Sequence, residues 1–272
     1  MPLPRALEPS GLILVDKPAG PTSFQVIARI RRKTGARTGH AGTLDPFASG
    51  LLLVLSGAAT RLAPWLVGLD KRYLTEIDLR ARTSTGDPEG GMVEECEAPD
   101  EAELERGLAR LRGEVELRIP AASAVKIGGE RAYRLHRRGE VVEMPVRRSR
   151  VDALEVLGYT GGIATLDLRV ASGTYVRSIA DALGGHCRTL RRTEVGPFSV
   201  DQADEERILP AAEALPFLPA IEVGTEEAAA IRTGRRRAQR EVRTLHDGEL
   251  VAVGSVVMPA IPPAAEWLGE RP

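Results

Sequence analysis

The chain has 272 residues, of which 43% are hydrophobic and 28% charged, a balance typical of a folded globular protein rather than a disordered one. This length suits one large domain with a small one beside it. The longest apolar run, Leu51–Leu55, is far shorter than the roughly 20 residues that cross a bilayer, and the N-terminus lacks an apolar signal region. We therefore expect a cytoplasmic protein without a membrane contact. Cys96 and Cys187 have no CxxC spacing, which argues against a disulfide framework and against a zinc knuckle.

The formal net charge is −1, but the charges are segregated along the chain. Residues 26–44 contain five basic residues and no acidic one, and residues 126–150 contain eight basic against three acidic. Residues 86–116 reverse the sign, with eleven acidic against three basic. Because salt screens charges beyond about 10 Å at 0.1 M, a polyanion responds to the local patch more than to the total. The pattern indicates an RNA-binding face opposite an acidic back, and chance clustering on a solvated surface is the alternative.

The first elements are a strand and a helix. Gly11–Val15 is an apolar run closed by Asp16-Lys17-Pro18, which predicts a strand followed by a turn. Thr22 and Gln25 have capping-box spacing at the start of a helix predicted over Ser23–Thr34. Helical spacing predicts which side chains of this helix face the core and which face solvent: Phe24, Ile27 and Ala28 inward, Arg31 and Arg32 outward.

Strands and helices then alternate without a regular βαβ rhythm. Lys71–Leu79 and Gly162–Val170 have the period-two alternation of half-buried strands. Glu101–Arg112 has leucines at helical spacing and stops at a glycine, and a further helix is predicted from Ser178. This mixture predicts an α+β fold with a mixed, largely antiparallel central sheet and flanking helices.

The composition changes after residue 211. The segment Leu215-Pro216-Phe217-Leu218-Pro219 has the prolines of a hinge. Beyond it the sequence predicts one helix, Glu226–Thr233, a basic cluster and two short strands. We expect a small second domain there.

The segment Gly39–Leu52 is the most informative part of the sequence. Its glycines bracket one acidic residue, Asp45, and Pro46 restricts Asp45 to extended backbone geometry. Glycines let a ligand approach the backbone closely, so the segment is suited to present a single carboxylate. A turn in which Asp45 only caps the following segment is the alternative. Arg177 is a candidate partner, because an arginine beside Asp45 would favour the ionised carboxylate and orient it through a bidentate contact.

Five segments of this chain stand in a recognisable order: Gly11–Ser23 (GLILVDKPAGPTS), Gly39–Leu52 (GHAGTLDPFASGLL), Lys71-Arg72-Tyr73, Ser172–Ser178 (SGTYVRS), and Thr189-Leu190-Arg191-Arg192-Thr193 with Gly196-Pro197-Phe198. Together they resemble the motifs of TruB-type tRNA pseudouridine-55 synthases. The resemblance implies a central sheet of the pseudouridine synthase type. It places the catalytic aspartate at Asp45, the active-site tyrosine at Tyr73, the active-site arginine at Arg177, and a leucine packed by the carboxylate at Leu190.

One segment departs from the family pattern. Where the family has Pro-Pro-x-Tyr-Ser-Ala-x-Lys, this chain reads IPAASAVK over residues 119–126, which lacks one of the two prolines and has Ala122 in place of the tyrosine. The resemblance implies a catalytic domain over residues 1–215, with an RNA-binding insertion at about 120–150. It also implies a small PUA-like RNA-binding domain over residues 216–272.

The activity implied by the resemblance is isomerisation of the T-loop uridine of tRNA to pseudouridine, without cofactor or metal, by a monomer that needs no protein partner. The base must leave its stack to be reached. His40 would occupy the vacated position, and Tyr73 would stack on the flipped uracil. Without the motifs, His40 is an ordinary loop histidine and Tyr73 an aromatic on the apolar face of a strand. Whether Asp45 attacks C1′ or removes a C2′ proton stays open.

The RNA contacts are expected from residues of the motifs and the basic segments: Lys17, Arg31, Lys33, His40, Lys126, Arg131, Arg147, Arg148 and Tyr175, with Arg235, Arg236 and Arg237 farther along the tRNA. For each basic residue, a solvated surface charge is the alternative. A non-catalytic tRNA-binding or folding module on the same scaffold is the second hypothesis for the whole chain, and another RNA target is a third. The presence of Asp45, Tyr73 and Arg177 favours the enzyme, because a pure binder has no chemical need for all three.

Overall fold

A computed structural model of the protein describes residues 9–259. Its helices are α1 (Ser23–Thr34), α2 (Ala63–Val67), α3 (Glu101–Ala109), α4 (Ala132–Arg137), α5 (Val176–Ala182) and α6 (Thr225–Arg232). Among residues 9–259, none of the helices has an apolar stretch of the length that a bilayer crossing requires. The predicted absence of a signal region and the outer ends of the two predicted domains lie outside the described residues.

The strands are short, with two exceptions in the middle of the chain. They are β1 (Gly11–Lys17), β2 (Thr38–His40), β3 (Ser49–Ser56), β4 (Lys71–Asp78), β5 (Ala81–Thr83), β6 (Met92–Glu95), β7 (Gly113–Arg118), β8 (Lys126–Ile127), β9 (Glu130–Arg131), β10 (Val146–Thr160), β11 (Ile163–Val170), β12 (His186–Val195), β13 (Phe198–Ser199), β14 (Asp204–Leu209), β15 (Ala220–Glu222), β16 (Arg243–His246), β17 (Glu249–Val253) and β18 (Val256–Val257). The longest are β10, with 15 residues, and β12, with 10.

Ten strands form one central sheet. Eight follow the order β14-β1-β3-β12-β4-β11-β10-β7, while β2 pairs with β3 and β13 with β12. Its pairings are antiparallel, apart from a short parallel contact between β12 and β3. The predicted α+β fold with a largely antiparallel central sheet is confirmed.

Each face of this sheet carries its own core. Helices α1, α3 and α5 cover one face, and β3 contributes Leu52 and Val54 to that core. The alternate residues of β3, Leu51, Leu53 and Leu55, point to the opposite face, where α2 and parts of the C-terminal region cover them. Because successive strand residues face opposite sides, one apolar strand supplies both cores. This explains why residues 51–55 read as an unbroken apolar run.

Helix α1 begins as predicted but turns a different face inward. Thr22 accepts from the Gln25 amide at 3.1 Å and its own amide donates to Gln25 Oε1 at 2.7 Å, so the capping box is present. The predicted apolar face is wrong, because Phe24 is 76% exposed. The buried residues are Ser23, Val26 and Ile30, at spacings of three and four. Ser23 is hydrogen-bonded to the backbone of the Asp45 loop, and this fixes the rotation of the helix.

The predicted strand alternations are confirmed. In β4 and β11 every second residue is buried, and the two strands are neighbours in the sheet, with Tyr73 opposite Leu168. The boundaries of α3 and α5 differ from the prediction. α3 ends at Ala109 rather than at residue 112, because the Leu111 amide bonds to the Leu108 carbonyl and tightens the last turn. α5 begins at Val176, two residues before the predicted start.

The C-terminal region has a sheet of its own. Strands β15, β16, β17 and β18 form it in that order, and α6 packs on it through a small core that includes Val223, Ile231 and Val251. The predicted helix is present, one residue earlier than expected. The prediction of two strands was too low, because β15 and β18 have only three and two residues and give no alternation pattern.

Candidate active site

Asp45 lies in the loop between β2 and β3, and hydrogen bonds to the segment 17–23 hold both of its neighbours. Ser23 Oγ accepts from the Leu44 amide at 2.9 Å and donates to the Leu44 carbonyl at 3.0 Å. The Pro46 carbonyl accepts from the Gly20 amide at 2.8 Å. The first motif therefore supports the second, and the loop presents Asp45 with 32% of its side chain exposed.

Arg177 contacts Asp45 from the buried side of the loop. Its Nε donates to Asp45 Oδ2 at 2.9 Å, and the arginine side chain is only 2% exposed. The predicted pairing is present, but the predicted bidentate geometry is wrong, since one nitrogen makes the contact. The other two nitrogens donate elsewhere: Nη1 to the Thr85 carbonyl at 2.7 Å and Nη2 to the Ala122 carbonyl at 3.0 Å. A fully engaged guanidinium of this kind holds the carboxylate in one orientation.

The contact with Ala122 explains why the departure from the family pattern leaves the Arg177 site in place. The acceptor for Arg177 at this position is a backbone carbonyl, so the contact does not depend on the side chain that residue 122 carries. The loss of the family's tyrosine leaves this hydrogen bond in place.

Asp87 is a member of the site that the sequence did not reveal. It is 4% exposed, and its Oδ2 lies 3.4 Å from Arg177 Nη1. Its other oxygen accepts from Thr85 Oγ1 at 2.5 Å and from the Glu89 amide at 3.1 Å. Asp87 had been counted with the acidic back of residues 86–116, and the structure places it in the site instead. Arg177 thus lies between two carboxylates, one buried and one open to solvent.

Tyr73 and Leu190 form an apolar wall beside the loop. They lie on the adjacent strands β4 and β12, are 8% and 7% exposed, and belong to the same core cluster as Leu44. Asp45 and Arg177 are thus in direct contact, and Tyr73 and Leu190 lie in the core cluster that contains Leu44, the residue before Asp45. A carboxylate with a fixed orientation, next to a surface that excludes water, can act as a nucleophile or as a base.

Lys17 does not contact the solvent. It is fully buried, and its ammonium group donates to the carbonyls of Pro18 at 2.9 Å, Pro21 at 2.8 Å and Pro46 at 3.1 Å. The predicted RNA contact of Lys17 is therefore wrong, because its three donors are already used to tie the first turn to the Asp45 loop. Burial lowers the pKa of Lys17 from 10.5 to about 8, although the nearby charge of Asp45 acts in the opposite direction.

His40 and Tyr175 lie close to this loop. Burial lowers the pKa of His40 and the charge of Arg192 lowers it further, so both favour the neutral imidazole. Burial raises the pKa of Tyr175, with a further contribution from the charge of Asp45. A partly buried imidazole can stack on a nucleobase.

The two predicted arginines of β10 are separated by the pleat of the strand. In the regular pairing of β10 with β7, Arg147 stands opposite Leu117 and Arg148 opposite Glu116, so the two side chains face opposite sides. Arg147 faces the site: a Cβ at Gly173 would lie 2.5 Å from its Nη2. Arg148 is not brought to the site.

The remaining predicted RNA contacts are exposed residues. Arg31 has no ion-pair partner among the described residues, whereas Lys33 is paired with Glu206 across the surface. Lys126 and Arg131 face each other on the hairpin β8–β9 of the insertion, and Arg131 also donates to the Ala124 carbonyl. The insertion has a small core of its own around Ile119, Ala132 and Met144.

Within residues 9–259, one group of three side chains has the spacing of metal ligands. Glu222, His246 and Asp247 have one potential ligand atom each within 4.8 Å of the others. The two carboxylates are exposed, and the group lies on the C-terminal sheet rather than beside Asp45.

Comparison with known proteins agrees with this arrangement. The family model "TruB family pseudouridylate synthase (N terminal domain)" matches residues 29–176, which include Asp45, Tyr73 and Asp87. The chain belongs to the TruB family of pseudouridylate synthases.

Curated relatives cover most of the chain. It is 44% identical over 232 residues to a tRNA pseudouridine synthase B of Leifsonia xyli subsp. xyli, covering 79% of this chain and 76% of the relative. It is 40% identical over 259 residues to a tRNA pseudouridine synthase B of Corynebacterium efficiens, covering 87% of each. Among solved structures, a Cbf5-Nop10-Gar1 complex contains a chain with 26% identity and a TM-score of 0.66, covering 96% of this chain and 81% of that one.

Proposed function

We propose that this chain is a tRNA pseudouridine synthase that isomerises the T-loop uridine at position 55. The observation that carries the proposal is the pairing of Asp45 with Arg177 at 2.9 Å on a loop anchored at both neighbours of the aspartate. Two curated relatives of the chain, at 44% and 40% identity, have the name tRNA pseudouridine synthase B.

The reaction breaks the bond between ribose C1′ and uracil N1 and joins C1′ to C5. The hydrogen on C5 leaves as a proton and N1 gains one, so nothing is oxidised or reduced. The uridine leaves its stack to reach Asp45, as other modified bases do. His40 fills the vacated position and Tyr73 stacks on the uracil. Asp45 attacks C1′ or removes the C2′ proton, Arg177 holds it in line, and Leu190 keeps water away.

Asp87 extends this arrangement. As a second carboxylate 3.4 Å from Arg177, it competes with Asp45 for the same guanidinium. The Ala122 carbonyl occupies Nη2, so Arg177 meets Asp45 through Nε alone and one carboxylate oxygen stays free to react.

The RNA-binding surface in this proposal combines the insertion, helix α1 and the C-terminal region. Arg147, Lys126 and Arg131 meet the backbone of the T arm, with Arg31 on α1 and Tyr175 beside the target nucleotide. The division at residue 215 into a catalytic domain and a small PUA-like domain accords with the separate sheet of β15–β18. Arg235, Arg236 and Arg237 lie just beyond α6 and bind RNA farther along the tRNA.

The proposal places the enzyme in the cytoplasm as a monomer, acting without cofactor or protein partner. Asp45, Asp87, Tyr73 and Arg177 all come from one chain, which supports a site that one copy can complete. Cys96 and Cys187 are free thiols, in keeping with a reducing compartment.

Tritium release from a T-arm hairpin labelled at C5 of the target uridine tests this function, because the C5 hydrogen is lost only when C1′ joins C5. We expect turnover by the wild type without added cofactor, none by Asp45→Asn, and equal RNA affinity for both. Asp201→Asn, which neutralises an exposed carboxylate, is the matched control and should keep full activity. Equal turnover by wild type and Asp45→Asn would refute the catalytic role. Tight binding without turnover by either would favour the tRNA-binding module.

A further inference from the structure

Arg192 is a buried arginine with an unusual position in the sheet. It lies on β12, opposite Tyr73 of β4 and opposite Gly50 of β3. It follows Leu190 by two residues, so both side chains face the same side of the sheet. Arg192 is 1% exposed, one of the largest fully buried side chains in the described residues.

The guanidinium of Arg192 holds the loop from below through carbonyl groups. Nε donates to the Leu51 carbonyl at 2.7 Å, and Nη2 donates to the Gly42 carbonyl at 3.1 Å. Nη1 makes a longer contact of 3.5 Å with the Thr43 carbonyl. Two of these three acceptors lie two and three residues before Asp45. One planar group thus joins the beginning of β3 to the segment that leads into Asp45.

The backbone is arranged so that this contact can form. A Cβ at Gly50 would overlap the backbone nitrogen and carbonyl oxygen of Arg192, so only glycine lets β3 and β12 approach here. Gly50 also has φ of +102°, a conformation that favours glycine. The close approach lets the side chain of Arg192 pass the end of β3 and reach the loop.

Burying the charge of Arg192 costs the fold free energy of desolvation. Within residues 9–259, no carboxylate lies within ion-pair distance of Arg192, so the charge is buried with carbonyl acceptors alone. The hydrogen bonds to these carbonyls therefore offset the desolvation cost of the buried guanidinium. The charge also lowers the pKa of two buried neighbours, after the larger effect of burial: Lys17 and Lys71.

We propose that Arg192 is a positioning residue for the proposed reaction. Its forked guanidinium fixes the distance of the Gly42–Asp45 loop from the sheet. This inference rests on the proposed function. Lysine keeps the charge but has a single point donor in place of the fork. It cannot bond the loop carbonyls and the Leu51 carbonyl in the same geometry, so Arg192→Lys should behave like a loss of position.

Steady-state turnover of a T-arm hairpin tests the proposal with Arg192→Lys, Arg192→Met and the control Arg191→Met. Arg191 lies on the opposite face of β12 and pairs with Asp16 at the surface. We expect kcat of both Arg192 variants to fall by about 100-fold, the effect of displacing a reacting group by about 1 Å, with KM and RNA affinity changed less than threefold. Arg191→Met should keep kcat within twofold. Turnover is divided by the concentration of folded enzyme. If the kcat obtained in this way equals that of the wild type, the loss of turnover reflects unfolding alone and the proposal is overturned.

Hydrogen exchange provides a readout that does not depend on turnover. The Leu44 amide donates to Ser23 Oγ at 2.9 Å, and its protection reports the position of the loop. We expect this amide to exchange at least tenfold faster in both Arg192 variants, while amides between β4 and β12 keep their protection. Unchanged exchange at Leu44 would overturn the inference even if the wild type proved inactive. An inactive wild type with faster Leu44 exchange in the variants would refute the proposed function and support the hold on the loop.

Discussion

Replacing Arg147 by alanine should weaken RNA binding by a calculable amount. Its guanidinium is exposed, lies against Gly173 at the edge of the site, and has no hydrogen-bond or ion-pair partner among the described residues. Free donors beside a polyanionic substrate are available for one phosphate contact. One such contact contributes about 0.7–0.9 to the slope of log K against log salt. Relative to about 1 M salt, the contact therefore raises the affinity about five- to eightfold at about 0.1 M salt.

The assay is the dissociation constant of a T-arm hairpin measured at salt concentrations from about 0.05 M to about 0.3 M. Arg147→Ala should reduce the salt slope by about 1. Arg148→Ala removes the same charge from the opposite face of β10 and is the matched control. A loss of equal size in both variants would refute the reasoning, because it would show a general charge effect rather than a contact made by Arg147.

Gly173→Ala should act through Arg147 in the same assay. The new Cβ would lie 2.5 Å from Nη2 and 2.7 Å from Cζ, so the guanidinium has to move. The residue also has φ of +82°, so alanine strains the backbone by roughly 1–2 kcal/mol wherever Arg147 lies. The double variant separates the two effects: Gly173→Ala should weaken binding in the wild type and change it less than twofold in Arg147→Ala. Additive losses would show that strain alone is responsible.

Two further predictions concern helix α1 and His40. Ile30→Ala should lower the free energy of unfolding by about 2–5 kcal/mol and Phe24→Ala by less than about 0.5 kcal/mol, as measured by urea denaturation, and a larger loss for Phe24 would contradict the observed rotation of α1. Because burial holds the pKa of His40 below 6.5, the unfolded chain binds a proton that the folded chain does not, and stability falls as the pH drops below 6.5. His40→Gln lacks this contribution, so wild type should lose stability relative to the variant between pH 7.5 and 5; a constant difference would show that His40 titrates normally.

The sequence predicted those parts of the molecule in which a side chain's own pattern carries the information. The alternation of β4 and β11 follows from burial on one face, and both strands were predicted correctly. The pairing of Asp45 with Arg177 was predicted because ordered motifs constrain positions that lie over a hundred residues apart. Helix α1 shows the limit of such patterns. Its periodicity allowed two faces, and a hydrogen bond from Ser23 to a distant loop decided between them.

The polar residues that the sequence missed have partners that leave no pattern. Asp87 differs from its acidic neighbours through its burial and its contact with Arg177 of α5, a residue distant in sequence. The basic residues Lys17, Lys71 and Arg192 are buried because main-chain carbonyls accept their hydrogen bonds, with Ser172 Oγ as a further acceptor for Lys71. Every residue has a carbonyl, so a lysine with such acceptors looks the same in sequence as one in solvent.

This difference matters for function as well as for prediction. A cation that faces solvent contributes to binding RNA, whereas a buried cation bonded to carbonyls sets the position of the backbone that it touches. Lys17 bonds the carbonyl just after Asp45, and Arg192 bonds those just before it. The loop is thus held on both sides of the aspartate by charges that RNA cannot reach. Removing either charge should therefore change the rate of the reaction more than the affinity for RNA, whereas removing Arg147 should do the reverse.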